Sequence, residues 1–415
     1  NVLYSIVDRI YIGRMGENSS LALTGVGVCL PIITIVIAFA NLIGMGGAPL
    51  FSIKRGEGNE KEAEAILGNS VTLLVIFGLC LTVVGLIVKR PLLYLLGASE
   101  NTIEYANSYI TIYLLGNVFV MMSLGLNSFI NAQGFGKTGM FTVVIGAVLN
   151  IILDPIFISG FGMGAAGAAI ATTIGNIMAS VYYLWYFCRK SRNMSMAFRY
   201  FKCGDRILSQ VCSAGLPTAI FSALMSISTI ILNQILVAYG NAPVAAIGIV
   251  FKANMFITFL QMGLANGVQP LLGYSYGAGN RERFIAVERY TKKCCLIVGV
   301  LATALFFFFR EPIIRLFISD TEVINYGVEM LIAYMISGPV IGILFMNMNC
   351  MQSTGNALPA TILSILRQGV LLIPVLYGLN ALLGLHGVIY GQALTDYVAV
   401  LLSIVIWRWK RRKTL

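Results

Sequence analysis

Charge is scarce in this chain. Only 11% of its 415 residues are Asp, Glu, Lys or Arg and 58% are hydrophobic, whereas soluble domains carry about 25% charge. A water-facing surface cannot be assembled from that stock, so a soluble globular fold is excluded. Histidine is nearly absent, with one residue in the whole chain. His386 stands beside Gly387 at a helix mouth and reads as a loop residue. The eight cysteines are scattered, without a CxxC or a histidine partner, and read as small apolar fillers rather than metal ligands. No GxxxxGK[ST], HExxH or GxSxG occurs, which excludes ATP hydrolysis on this chain and leaves no convergent catalytic group set for an enzyme. No cofactor is expected.

Long apolar runs take the place of charge. Measured against the roughly 20 residues a bilayer crossing needs, they predict helices at 1–13, 21–53, 66–88, 103–131, 139–158 and 163–188. A second set follows at 209–239, 244–276, 286–309, 323–352, 358–379 and 385–409. The first run is too short to cross, so the first helix is expected to be truncated. No cleavable signal peptide pattern precedes it. The expectation is an all-α integral membrane protein of twelve transmembrane helices.

The loops alternate in charge. Segments 54–65, 132–138, 189–206, 281–293 and the tail after Trp407 hold 20 of the 28 Lys and Arg, while the opposite loops hold five. By the positive-inside rule the basic set, with both termini, is cytoplasmic. The net charge of +11 is then a topology signal, and nucleic acid is not expected as a partner, since neither basic loop sits in a soluble module.

The two halves repeat. "PLFSIKRGEGN" (49–59) lies against "PLLGYSYGAGN" (270–280), and a shift of 219 sets Gln133, Gly136, Thr142 and Pro155 against Gln352, Gly355, Thr361 and Pro374. Six helices per copy gives both copies one orientation, and parallel repeats of this kind are typical of transporters. The expected lobes are 1–188 and 209–409, joined by a basic inter-lobe loop at 189–208 and followed by a basic tail at 410–415.

One polar group breaks the repeat. Asn150 and Asp154 fall opposite Gly369 and Ile373. Four residues apart, they share a helix face. Pro155 cannot donate to the carbonyl of Ile151 and frees an oxygen near the acid. The next run, "GMGAAGAAIATT", permits close approach and offers the hydroxyls of Thr172 and Thr173. In the first run Asp8 has Tyr4 one turn earlier. Two acids in hydrocarbon need a partner. Carboxylate, amide and hydroxyl oxygens suit Na+, and a raised carboxylate pKa would equally suit H+. Asn127 and Asn131 either extend this network or serve as helix glue. In the second half Lys252, Arg367 and Asp396 are the charges inside apolar runs. The two basic residues are expected to snorkel, or Arg367 to pair with Asp396. Asn233, Gln234, Gln261, Asn347, Asn349 and Gln352 are expected to give polar lining, and the Met of "LFMNMNCMQ" with Phe256 and Phe259 an adaptable cavity for flat cations.

"VDRIYIGRMGENSSLALTGVG", the hairpins ending in "GEGN" and "GAGN", "NAQGFGK" and "LNIILDPIFI" resemble the multidrug and toxic compound extrusion family, nearest its bacterial MepA-like and DinF-like branches. The resemblance runs over essentially the whole chain. It implies a monomeric antiporter of amphipathic organic cations working by alternating access, with cation coupling at Asp8, Asn150, Asp154 and Thr172 and a supporting Tyr4. Acids that some branches carry in helices 7 and 10 are absent here. A related flippase of lipids or lipid-linked oligosaccharides is the alternative, which a strongly cationic cavity would favour.

Overall fold

The computed structural model describes Tyr11 and residues 19–189, 206–318 and 320–414. Over these the chain divides into two compact units, one within Asn1–Phe51 and Glu60–Gly215, the other within Ser52–Asn59 and Leu216–Leu415.

In chain order the helices are α1 (Ser19–Gly56), α2 (Glu60–Leu95), α3 (Ile103–Leu115), α4 (Asn117–Ala132), α5 (Gly136–Pro155) continued by a π-helical turn (Ile156–Gly160), and α6 (Gly164–Arg189). The rest follows as α7 (Arg206–Val237), α8 (Asn241–Gly277), α9 (Arg281–Phe308), the short α10 (Arg310–Arg315), α11 (Thr321–Ile336) and α12 (Gly338–Gln352). It closes with α13 (Ala357–Ile365), a second π-helical turn (Leu366–Leu371) and α14 (Leu372–Thr414).

Eight described helices are long and apolar enough to span a bilayer, and α3 with α4 and α11 with α12 pass as two broken spans. The last run is parted at Gly384, whose φ of 59° and ψ of −139° no helix accommodates. It is therefore two spans. This fits the expected twelve-helix, two-lobe fold; the first predicted helix falls almost wholly outside the described residues, with Tyr4 and Asp8 in it.

The repeat is plain in the backbone. Gly58 and Gly279 close "GEGN" and "GAGN" with φ of 75° and 66°, a left-handed turn that favours glycine. Gly134 and Gly355 do the same at 89° and 75°. Both pairs lie 221 apart. So do the breaks at Gly116 and Ser337, where the spans bend by 56° and 46°. Uninterrupted helices were expected over 103–131 and 323–352, because apolar periodicity is blind to a bend that keeps the same face inward. Pro339 accounts for the second break, as its ring clashes with the preceding turn. At Gly116 the side chain of Thr173 occupies the space a Cβ would need, 2.3 Å from it.

This register corrects the sequence alignment from Gln133 onward. Gly355 pairs with Gly134 rather than Gly136, and Pro374 falls two residues short of the position opposite Pro155. The π turn follows Pro155 in one unit and precedes Pro374 in the other. The asymmetry survives: at 221, Asn150 and Asp154 face Leu371 and Val375.

Candidate functional site

The helix pair α5 and α6 carries the acid. Gly175 crosses over Gly146, where a Cβ would stand 3.2 Å from the Gly146 carbonyl oxygen. Gly167 packs closer still against Phe157 of the π turn, where a Cβ would stand 2.7 Å from the carbonyl carbon. Small residues let the two backbones approach, and their polar side chains then meet. Asn150 Nδ2 donates to Asp154 Oδ1 at 3.2 Å and to Thr172 Oγ1 at 3.3 Å. Asp154 is 0% exposed and Asn150 2%.

Beside this cluster lies a cavity of about 300 Å³, walled by Asn127, Thr142, Asn150, Thr172, Asn176 and Tyr183 among others. Asp154 is not on the wall. Asn150 is, so it stands between the cavity and the acid. The amide presents its donors to Asp154 and Thr172 while Asn150 Oδ1 is buried with no hydrogen-bond partner among the described residues. Turning the amide would bring that oxygen toward the other two. Carboxylate, amide and hydroxyl oxygens are the donor types that suit a hard cation.

Asn150, Asp154 and Thr172 are thus brought together. Asn127 joins them on the cavity wall, and its partner Asn131 does not: both Asn side chains lie against Gly139, 2.6 and 2.7 Å from where its Cβ would be, so Asn131 is packing between α4 and α5. Pro155 ends α5 below the acid. Tyr4 and Asp8 lie outside the described residues. Sequence reasoning missed Ser123 and Asn176, which bond to each other at 2.8 Å. Their signal was spacing: Ser123 precedes Asn127, and Asn176 follows Thr172, by one helical turn.

The second unit has its own cavity, about 280 Å³, lined by Phe221, Met225, Phe259, Met262, Arg367 and Asp396 among others. Arg367 does not snorkel. It is buried, its Nε bonds to Asp396 Oδ1 at 2.9 Å, and its guanidinium lies 5.4 and 5.7 Å from the Phe221 and Phe345 ring centres. Asp396 also accepts from Ser337 and Gln392, each at 2.9 Å. Lys252 is exposed, with Phe317 5.9 Å away. The expected polar lining is largely used up between helices: Gln261 bonds to the Gly338 carbonyl, Asn347 to Ser403, Asn349 to Asn266 and Gln269 to Gln352. Met346 and Met351 are core residues and Phe256 faces outward, leaving Met225, Met255, Met262 and Phe259 as the adaptable wall. His386 lies within α14 and pairs with Glu329 at 2.6 Å.

Comparison with known proteins finds similarity over nearly the whole chain. The MatE family model matches residues 1–156 and 217–377. The multidrug export protein MepA of Staphylococcus saprophyticus is 29% identical over 406 residues, covering 98% of this chain and 89% of that one. Two crystal structures described as MATE, one in the bent and one in the straight conformation, superpose with a TM-score of 0.92. They share 25% and 24% identity and cover 98% and 99% of this chain, and 91% and 92% of theirs.

Proposed function

The chain belongs to the MatE family, the multidrug and toxic compound extrusion transporters, and from that premise we propose that it exports amphipathic organic cations in exchange for Na+ or H+. The observation that carries the coupling is the buried Asp154, held by Asn150 against Thr172 next to a polar cavity. A cation or proton reaching that cavity meets Asn150 and Thr172 on its wall, and charge on Asp154 then changes what the amide and hydroxyl can bond to. Asp8 completes the acid pair in this reading. Coupling requires that the ion bind one conformation more tightly than the other. Relatives described as bent and straight support two such states, and the Pro155 break with its π turn is the element proposed to switch.

Substrate is taken from the cytosol or inner leaflet of the plasma membrane, with both chain termini cytoplasmic and the protein acting as a monomer. The Met and Phe wall of the second cavity supports flat, apolar cargo. Arg367 there is neutralised by Asp396, which weighs against the strongly cationic lining a flippase of anionic lipids would want.

The test is dye efflux from cells or inside-out vesicles carrying the protein, under separately imposed Na+ and H+ gradients, with Asp154→Asn beside wild type. Loss of gradient-driven efflux in the variant at normal insertion supports the reading, and the stimulating gradient names the ion. A variant that pumps as well as wild type refutes it.

A further inference from the structure

A third opening, of about 310 Å³, lies in the second unit between the first turns of α9 and the last turns of α14, with Ile343 of α12 on its wall. Its deepest charged residue is Glu288, 3% exposed. Trp407 Nε1 donates to Glu288 Oε1 at 2.7 Å and Lys292 Nζ at 2.6 Å, while Arg411 Nη1 reaches Oε2 at 3.3 Å. One buried carboxylate thereby fixes an indole, an ammonium and a guanidinium around a single pocket. Nothing in the transport reading uses this arrangement.

The charges do not balance. Arg289, Lys292, Arg408 and Arg411 line the pocket against the single Glu288. Lys292 and Arg411 are paired with it, whereas Arg289 and Arg408 are exposed and make no ion pair among the described residues. Ile285, Ile343 and Ile404 supply an apolar wall. On the same two helices Ile297, Leu401 and Val405 are more than half exposed, which in a membrane-spanning chain is surface for lipid tails. Basic residues at helix ends above a lipid-facing apolar surface are the chemistry that recognises a phosphate on an acyl chain.

We propose that this pocket binds the headgroup of an anionic phospholipid. Its phosphodiester is held by Arg289 and Arg408, with Lys292 and Arg411 fixed nearby by Glu288, and one acyl chain runs along Ile285, Ile343 and Ile404. The bidentate fork of each arginine matches phosphate oxygens. Glu288 keeps the cations in place rather than binding lipid itself.

The test uses the full chain purified in neutral detergent and titrated with phosphatidylglycerol or phosphatidylcholine of matched chains, with retained lipid counted by native mass spectrometry. Wild type should prefer phosphatidylglycerol. Preference should fall about fivefold for each arginine removed in Arg289→Ala and Arg408→Ala, and Arg289→Lys/Arg408→Lys should keep much of it. Both arginines are exposed, so the variants are expected to fold, and a lipid-free melting curve checks this. Equal retention of the two lipids by wild type, or full preference in the double alanine variant, overturns the proposal. Displacement of phosphatidylglycerol by glycerol 3-phosphate at equal concentration assigns the pocket to a soluble anion and overturns the lipid reading.

Discussion

The amide nitrogen of Asn150 lies 3.2 Å from the carboxylate of Asp154, one turn along α5. The same amide reaches Thr172 on α6, so one side chain links the acid to the neighbouring helix. Asn150→Ala removes a hydrogen bond to a carboxylate, worth about 1.5–3 kcal/mol, whereas Thr172→Val removes a neutral partner worth about 0.5–1.5 kcal/mol. The expected outcome is a lower melting temperature in detergent for both, larger for Asn150→Ala, with efflux lost in step. Equal or reversed effects would show that Asn150 does not organise the acid.

Pro155 is expected to matter for movement more than for assembly. Pro155→Ala restores a backbone donor toward Ile151 and favours a continuous helix where α5 now gives way to the π turn. Membrane insertion should be near normal and transport impaired severalfold or more. Unchanged transport in the same cells would remove Pro155 from the mechanism.

Gly116 leaves room for Thr173 at the bend. A Cβ at 116 would lie 2.3 Å from the Thr173 methyl carbon and 3.2 Å from its Cβ, so Gly116→Ala forces an overlap costing about 1–3 kcal/mol. Thr173→Ala removes the clashing atoms. The double variant should recover most of the stability lost by Gly116→Ala, a coupling that a double-mutant cycle of melting temperatures measures directly.

Arg367 and Asp396 are unequal partners. Replacing Arg367 with Met leaves Asp396 with the donors of Ser337 and Gln392. Replacing Asp396 with Leu leaves a buried guanidinium whose remaining company among the described residues is the Phe221 and Phe345 rings. Breaking a buried pair costs about 3–5 kcal/mol, so Asp396→Leu should sit at the severe end and Arg367→Met below it, with the double variant milder than Asp396→Leu alone. Thermal melting of the four proteins decides it.

The membrane class, the rough positions of the described spans, the duplicated six-helix plan and the pairing of Asn150 with Asp154 were legible in the sequence. Each rests on a local or periodic rule: hydrocarbon tolerates little charge, a crossing needs a minimum length, and residues four apart share a helix face. The glycine turns of "GEGN" and "GAGN" are of the same kind, since a left-handed residue is a property of one position. What required the tertiary structure is what depends on neighbours distant in sequence. Gly116 has to be small because Thr173 stands beside it, Asn131 packs against Gly139 while Asn127 faces a cavity, and Arg367 stays buried because Asp396, 29 residues on, is within reach. A long basic side chain in an apolar run reads as one that escapes to water, and only the position of its counter-charge decides otherwise.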